Sequence, residues 1–420
     1  MHILQGKVLE PVSASQCRLI DNASVVIGDD GRIQEVLSGR KPNGKTIGDE
    51  GCWILPGFID AHLHMPQWDR RGIDGLPLGQ WQQTVGYPAE ARLRDPRVAR
   101  DLAEQFVSGM IANGTTTIAA FGSPFSQEVD GTFDVLAKRG LRAIYGMTLS
   151  DIGMPAELTH SADAALDDSR ALCAKWHGAE NGRLLYALSP RASIRCSERL
   201  MRGAAALADM LHCYLQTHVA ESLEELSEVR QMYSPAVDEI EVFDDAGLLT
   251  PRTLLAHGVF LDHQERRQVA KKGCAIIHCP TANFFRASGL MDYVAHRADG
   301  IRIALGSSIA GGPDPFMPRV AVQGLNTAKA IKVHTLPRLA YQVPTPAEAW
   351  YTLTKRAAEA LGLSDRIGSI AAGYEADCLV VRPEPWIAGL SEDQQVSALL
   401  YTLTPAQIEH VFVAGRELHV

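Results

Sequence analysis

The sequence contains no long hydrophobic run. A membrane-spanning helix needs about 18 uninterrupted apolar residues, and no stretch approaches that length. The first residues lack the basic segment followed by an apolar segment that is typical of a secretory signal. No basic run offers a phosphate-binding surface, and the formal net charge is −9. We therefore expect neither a membrane nor a nucleic acid as a partner, and a small molecule as the substrate.

Paired cysteine motifs are also missing. The eight cysteines are scattered and include no C-x-x-C pair. In a chain of this size that pattern predicts reduced, mostly buried thiols rather than a disulfide framework or a zinc knuckle, and it favours a cytoplasmic protein. No G-x-G-x-x-G motif follows an early strand, which argues against a dinucleotide-binding fold.

Short apolar strands alternate with helical segments through the middle of the chain, which predicts parallel βα units. With 420 residues, of which 46% are hydrophobic, the chain can form one large barrel or two ordinary domains. The strand candidates are Leu184–Leu188, Tyr214–Val219, Thr253–Ala256, Ala275–Ile277 and Ile301–Leu305. The helix candidates are Glu198–His212, Glu221–Tyr233, His263–Lys271 and Thr345–Leu361.

The polar residues favour a barrel over a doubly wound sheet, since they recur where a predicted strand gives way to a loop. Catalytic groups of a (β/α)₈ barrel collect from several strand ends at its C-terminal rim. The residues with this placement are His62, His64, Arg191, His218, His257, His278, Ser307 and Ser308. We predict an α/β fold with a TIM-like barrel over residues 56–364.

The two ends of the chain resemble each other. Ser24–Ile27 and Arg32–Leu37 are β-rich and flank the turn signal Asp30-Gly31. Ala376–Val381 and Glu409–Val413 are β-rich again, and the turn signal Ala414-Gly415 follows. Residues 1–55 and 365–420 are predicted to pair into one small β-sandwich domain; two unrelated β-appendages are the alternative.

The string Pro56-Gly57-Phe58-Ile59-Asp60-Ala61-His62-Leu63-His64 carries the first chemical signal. Residues i and i+2 of a strand point to the same side, so two imidazoles there can bind one metal ion. A His-x-His pair alone is a weak signal in a chain with 14 histidines. The apolar run that leads into the pair strengthens the functional interpretation.

A second signal is Thr217-His218-Val219-Ala220-Glu221, where a predicted strand meets an acidic helix. Three histidines and a water molecule form a known catalytic zinc geometry, in which His218 would be the third ligand. Glu221 could carry protons to a ring nitrogen, or it could simply stabilise the helix N-terminus. His257, in Leu254-Leu255-Ala256-His257-Gly258, could hydrogen-bond the attacking water, although a lone histidine is more often structural.

These strings occur in an order and spacing that resemble the amidohydrolase superfamily, over essentially the whole chain. The stretch from His62 to Glu90, SPRASIRCSERL from Ser189 to Leu200, and HCPTAN from His278 to Asn283 are most similar to its guanine deaminase branch. The resemblance implies hydrolytic deamination of guanine or a related amino-substituted purine-like heterocycle, one divalent metal ion with zinc expected, and a homodimer.

Carried over residue by residue, the resemblance implies three groups of site residues. The expected metal ligands are His62, His64 and His218, with Glu221 as proton carrier and His257 beside the attacking water. The expected substrate-binding residues are Gln67, Trp81 and Arg191. Their chemistry suits a purine edge, because an amide offers a donor and an acceptor and a guanidinium donates to a carbonyl oxygen.

Ser308 departs from the family pattern. The last barrel strand of the family ends in Leu-Gly-Thr-Asp, whereas this chain has Leu305-Gly306-Ser307-Ser308, so Ser308 stands where the metal-binding and catalytic aspartate belongs. A hydroxyl is no general base near neutral pH, and losing a positioned base typically costs about 10²–10⁴-fold in rate. Asp314, six residues later, is an open alternative source of a carboxylate.

Three hypotheses about function remain open at this point. The first is a deaminase of an amino-substituted purine-like ring, in which Glu221 does more of the proton transfer. The second is a hydrolase that displaces a better leaving group from an N-heterocycle, as in a triazine-hydrolysing branch that resembles this chain in its hydroxyl residue. The third is a catalytically silent purine-binding paralogue, against which the intact set of histidines and Glu221 argues.

Overall fold

The fold is known from a computed structural model that describes residues 1–40, 42–73, 76–234, 238–334 and 340–419. Eight parallel strands form the centre of the molecule, and each pairs with the next strand along the chain. They are β1 (Phe58–His64), β2 (Thr115–Phe121), β3 (Arg142–Gly146), β4 (Leu184–Pro190), β5 (Tyr214–Val219), β6 (Thr253–His257), β7 (Ala275–His278) and β8 (Arg302–Leu305).

The last strand returns to the first, which closes the sheet into a barrel. The Ser308 N–H donates to the His62 carbonyl oxygen at 2.8 Å, and the His64 N–H donates to the Ile309 carbonyl oxygen at 2.6 Å. Sequential parallel order with this closure is the arrangement of a (β/α)₈ barrel. The predicted barrel is confirmed, and the alternative of a doubly wound sheet is wrong.

Helices lie between the strands and cover the outside of the barrel. The longer ones are Pro96–Ala112, Ser126–Arg139, Ala162–Trp176, Glu198–Leu211, Leu223–Met232, Glu239–Asp245, His263–Lys272, Met317–His334, Pro346–Leu353 and Glu392–Thr402. Shorter ones are Leu78–Trp81, Tyr87–Ala91, Ala179–Gly182, Pro280–Phe285, Tyr293–Ala298 and Lys355–Ala360.

Two of the predicted helices differ from the observed ones for local reasons. The helix predicted from Glu221 begins at Leu223, because the Ser222 side chain accepts a hydrogen bond from the Glu225 N–H and caps it. Glu221 therefore lies in the loop before the helix. The helix predicted over Thr345–Leu361 is broken at Thr354, whose φ and ψ of −127° and −87° are not helical.

Both ends of the chain contribute to one separate eight-stranded sheet. Cys378–Val381 pairs antiparallel with Trp53–Pro56, which joins the two ends directly, so the predicted terminal β-domain is confirmed and the alternative of two unrelated appendages is wrong. The strands are His2–Ser13, Gln16–Ile27, Ile33–Ser38, Thr46–Ile47, Trp53–Pro56, Cys378–Val381, Ile408–Val413 and Arg416–Leu418. The boundaries at residues 55 and 365 stay a prediction.

A buried ion pair connects this sheet to the barrel. The Arg142 guanidinium on β3 donates to Asp377 at 2.8 Å and to Glu375 at 2.6 Å, and only 1% of its side chain is exposed. All eight cysteines are free thiols and seven of them are buried, as predicted. Within the described ranges, the helices include none that is both long and apolar enough to cross a membrane.

Candidate active site

The C-terminal ends of the barrel strands bring four histidines together. His62 and His64 end β1, and because they are two residues apart their side chains leave the strand on the same side. His218 comes from β5 and His257 from the last position of β6. All four side chains are buried.

The ring of His62 contacts the other three imidazole rings of this cluster. The Nε2 atoms of His64 and His218 are 3.1 Å apart, and the ring of His62 lies 5.0 to 5.3 Å from those of His64, His218 and His257. Within the described ranges, one group of potential ligand atoms lies within 4.8 Å of one another, namely those of His62, His218 and His257. The three predicted metal ligands lie in one cluster, since His64 contacts His218, but the group of mutually close ligand atoms contains His257 and not His64.

The donor set fits a divalent metal ion. Burial lowers the pKa of His62 and of His64 well below the ordinary value and lowers that of His218 to about 4, so the rings are neutral near pH 7. His62 Nε2 is buried and has no hydrogen-bond partner among the described residues. Neighbouring ligand atoms of a tetrahedral zinc site lie roughly 3.3 Å apart, close to the spacing of the His64 and His218 nitrogens.

A backbone carbonyl fixes the tautomer of His218. The carbonyl oxygen of Arg191 lies 2.6 Å from His218 Nδ1, which therefore carries the proton and leaves the Nε2 lone pair facing the other imidazoles. Contacts of this kind orient metal-binding histidines and raise their basicity. The same residue, Arg191, has its side chain in the cavity beside the histidines.

Glu221 lies opposite His257, with 3.6 Å between its Oε2 and His257 Nε2. The Nδ1 of His257 pairs with the side-chain oxygen of Asn283 at 2.9 Å, which directs His257 Nε2 towards Glu221. The Glu221 N–H donates to Glu225, whose pKa is raised by burial and by the carboxylates of Glu239 and Glu221. Glu221 and His257 both line the cavity, so they are placed to exchange a proton with a molecule bound there.

A cavity opens beside the histidines and is lined by the predicted substrate residues. Gln67, Trp81 and Arg191 all line it, together with Glu90, which accepts a hydrogen bond from Gln67 and forms an ion pair with Arg191. The guanidinium of Arg286 stacks on Trp81, 3.8 Å from the ring centroid. One side of the cavity is thus flat and aromatic, and another is polar.

Ser308 lines the same cavity and is 3% exposed. Its φ of 51° lies in the left-handed region, and its backbone is held by the hydrogen bond to the His62 carbonyl oxygen. The preceding Ser307 points away and donates to Asp60, a buried carboxyl whose pKa burial raises to about 7. Asp314 does not supply a carboxylate to this cavity, because it pairs with Arg319 and is not among the lining residues.

His278 is the one polar strand-end histidine that does not join the cluster. It lies at the end of β7 and lines a separate small cavity with Tyr293 and Glu348. Burial lowers its pKa to about 3, so it is a neutral residue of the interior. The residue of the HCPTAN string that contacts the histidine cluster is Asn283, five residues after His278, which bonds to His257.

Sequence reasoning missed three residues of the site: Glu90, Asn283 and Arg286. Glu90 and Asn283 are the final residues of two strings that carry the family resemblance, and that position was the available signal. Arg286 follows the second string by three residues, on the loop after the helix Pro280–Phe285, and no pattern singled it out.

Comparison with known proteins places the chain among enzymes of one family. The model of the amidohydrolase family matches residues 53–418. A probable guanine deaminase of Deinococcus radiodurans is 32% identical over 411 residues, which cover 94% of this chain and 92% of that protein. The structure of Escherichia coli guanine deaminase is 27% identical with a TM-score of 0.91, covering 100% of this chain and 99% of the other. That of a guanine deaminase from C. acetobutylicum with guanine bound in its active site is 25% identical with a TM-score of 0.94, covering 100% of both chains.

Proposed function

This chain belongs to the amidohydrolase family, and on that premise we propose that it is a metal-dependent deaminase of guanine or of a related amino-substituted purine-like heterocycle. The observation that carries the proposal is one cavity lined by buried histidines, the Glu221 carboxylate, and the polar pair Gln67 and Arg191. Its relatives named guanine deaminase, one of them with guanine bound in the active site, support the choice of ring.

His62, His64 and His218 would hold one divalent metal ion, and zinc is the metal expected for three nitrogen ligands. A metal ion bound there supplies Lewis-acid activation of a water molecule. The unpartnered Nε2 of His62 and the 3.1 Å spacing of the other two Nε2 atoms support this ligand set. His257 stands close enough to the cluster to hydrogen-bond the attacking water.

Glu221 acts as the proton carrier of the reaction. It accepts a proton as water adds to the ring carbon that bears the amino group, and it delivers that proton to the adjacent ring nitrogen. A second proton from the added hydroxyl then reaches the amino nitrogen, the carbon–nitrogen bond breaks, and ammonia leaves while the ring keeps a carbonyl oxygen. His257, 3.6 Å from Glu221 and oriented by Asn283, holds the hydroxyl in place during these transfers.

Gln67, Trp81 and Arg191 bind the ring. The Gln67 amide presents a donor and an acceptor to a ring edge, and the Arg191 guanidinium donates to a ring carbonyl oxygen. Trp81 and the Arg286 guanidinium that stacks on it both line the cavity and would border the bound ring.

The test is ammonia release by zinc-loaded protein from guanine, 8-oxoguanine, pterins, cytosine and triazines. The proposal predicts turnover of an amino-substituted bicyclic ring, guanine first, and none of cytosine. Release from triazines alone would contradict it. No release from any member, together with tight purine binding, would instead identify a catalytically silent protein.

Ser308 supports a second candidate function, the hydrolysis of a better leaving group than ammonia. Ser308, next to β1, places a neutral hydroxyl in the lining of the cavity, and this residue is 3% exposed. A weaker base suffices when the leaving group departs readily, because less proton transfer is needed in the transition state. Release of chloride or alkoxide from a triazine, faster than ammonia from guanine, would favour this function.

A homodimer and a cytoplasmic location belong to the same proposal, since they follow only from the family and the cysteine pattern. Light scattering at micromolar concentration should give twice the mass of 45.6 kDa. A mass of one chain would reject the dimer.

A further inference from the structure

Glu90 lines the polar side of the cavity and bonds to both side chains that are proposed to bind the substrate. Its Oε1 accepts from Gln67 Nε2 at 3.2 Å, and its Oε2 forms an ion pair with Arg191 Nη2. The side chains of Glu90 and Arg191 are only 2% and 7% exposed. Burying either charge alone would be strongly unfavourable, so each charge depends on the other.

We propose that Glu90 is a positioning residue that sets substrate selectivity, because it orients Gln67 and compensates the charge of Arg191. The cavity then prefers neutral rings to anionic ones. This inference rests on the proposed function, since it takes Gln67 and Arg191 as the residues that bind the ring.

The orientation of the Gln67 amide follows from the bonds on its two ends. An ionised carboxylate only accepts hydrogen bonds, so the Gln67 nitrogen must face Glu90 and its oxygen must face the Ala310 N–H, 3.4 Å away. One N–H and one lone pair remain for the ring edge. With the carboxylate removed, the amide could rotate by 180° and present the reversed pattern.

The Arg191 side chain is fixed in position, and its charge is compensated by Glu90. Its backbone carbonyl binds His218 Nδ1, which fixes the start of its side chain beside the histidine cluster. Its Nε is buried and has no partner among the described residues, so the side-chain hydrogen bond of this guanidinium is the one to Glu90. In a site screened from water an uncompensated guanidinium would attract anionic rings strongly, and Glu90 removes that attraction.

The experiment compares the parent protein with Glu90→Gln, which keeps the shape and removes the charge. Initial rates with guanine give KM and kcat, and inhibition of that reaction by urate, an anionic purine, gives its inhibition constant. We expect KM for guanine to rise about tenfold or more with a smaller change in kcat, since a hydrogen bond to a charged group is lost. The inhibition constant of urate should rise less or fall, so the ratio of the two constants shifts by about tenfold.

Glu128→Gln is the matched control. Glu128 is also a buried carboxylate, 1% exposed, but it bonds to Thr132 and Tyr145 away from the cavity. Its variant should leave both constants unchanged. Equal weakening of guanine and urate in Glu90→Gln would overturn the inference, because a merely structural residue would have that effect.

Failure of the proposed function has a different signature. A parent protein that releases no ammonia from guanine would contradict the deaminase proposal. Calorimetric titration of the parent and Glu90→Gln proteins with guanine and urate would then still decide the inference. An unchanged preference between the two ligands, or no binding of either to the parent, would overturn it.

Discussion

Replacing Ser308 by aspartate tests how much of the reaction this chain performs without a carboxylate at that position. Ser308 lines the cavity, and its backbone is fixed by the hydrogen bond to His62. Its φ of 51° suits aspartate, one of the few residues that tolerate the left-handed region, so the exchange should not disturb the loop. The new carboxylate would lie beside the histidine cluster and supply a second base.

The expected gain follows from the contribution of a positioned general base. Such a base is worth about 10²–10⁴-fold in rate, or roughly 3–5 kcal/mol in the barrier. If the chain is a deaminase with an impaired site, Ser308→Asp should raise kcat for guanine by a factor in the lower part of that range. The gain should stay in the lower part of the range because Glu221 and His257 already perform part of the proton transfer.

The assay is ammonia release from guanine by zinc-loaded proteins, with Ser308→Asn as the control. Asparagine has the shape of aspartate but no base, so it should give no gain. If the serine instead serves another leaving group, the aspartate would place a second anion near Glu221 and slow the native reaction. Unchanged guanine turnover in a metal-loaded Ser308→Asp protein would refute the reasoning.

Three further perturbations have defined outcomes. His62→Ala should lower the zinc bound per chain in dialysed protein, measured by elemental analysis, because it removes one proposed ligand; an unchanged zinc content would contradict the ligand set. Asn283→Leu should lower kcat more than it changes KM, since His257 loses the bond that orients it; a change confined to KM would contradict that role. Arg142→Met removes the ion-pair partner of the buried Asp377. It should lower the free energy of unfolding, measured in urea titrations, by about 3–5 kcal/mol. A decrease below about 1 kcal/mol would contradict a structural role for the pair.

Much of the barrel could be predicted from the sequence because several strands combine an apolar run with a polar residue at its end. The strands β2 and β3 were not among the predicted strands. The strand predicted over Tyr214–Val219 has those bounds in the structure, and a histidine at its end joins the cluster. Short apolar runs and the polar residues at their ends are local properties of a sequence, and a parallel barrel collects such ends at one rim. The same local reasoning placed His62, His64 and His257.

Other parts of the site depend on contacts between distant segments, which a local pattern does not contain. Glu90 and Arg191 are 101 residues apart, and their ion pair arises only when the loop after β1 folds over the barrel. His278 looked equivalent to the other strand-end histidines, yet β7 directs it to a different cavity. Because Ser222 caps it, the helix begins at Leu223 and not at the predicted Glu221, which therefore lies in a loop beside His257.

The most direct test of the central claim is the stoichiometry of guanine conversion by zinc-loaded protein. The proposed mechanism predicts one ammonia and one xanthine for each guanine consumed, and the loss of both products in Glu221→Gln, which keeps the shape of the carboxylate but cannot carry the proton. Xanthine formed at an undiminished rate by Glu221→Gln, or no xanthine from the parent protein with zinc bound, would contradict the assignment.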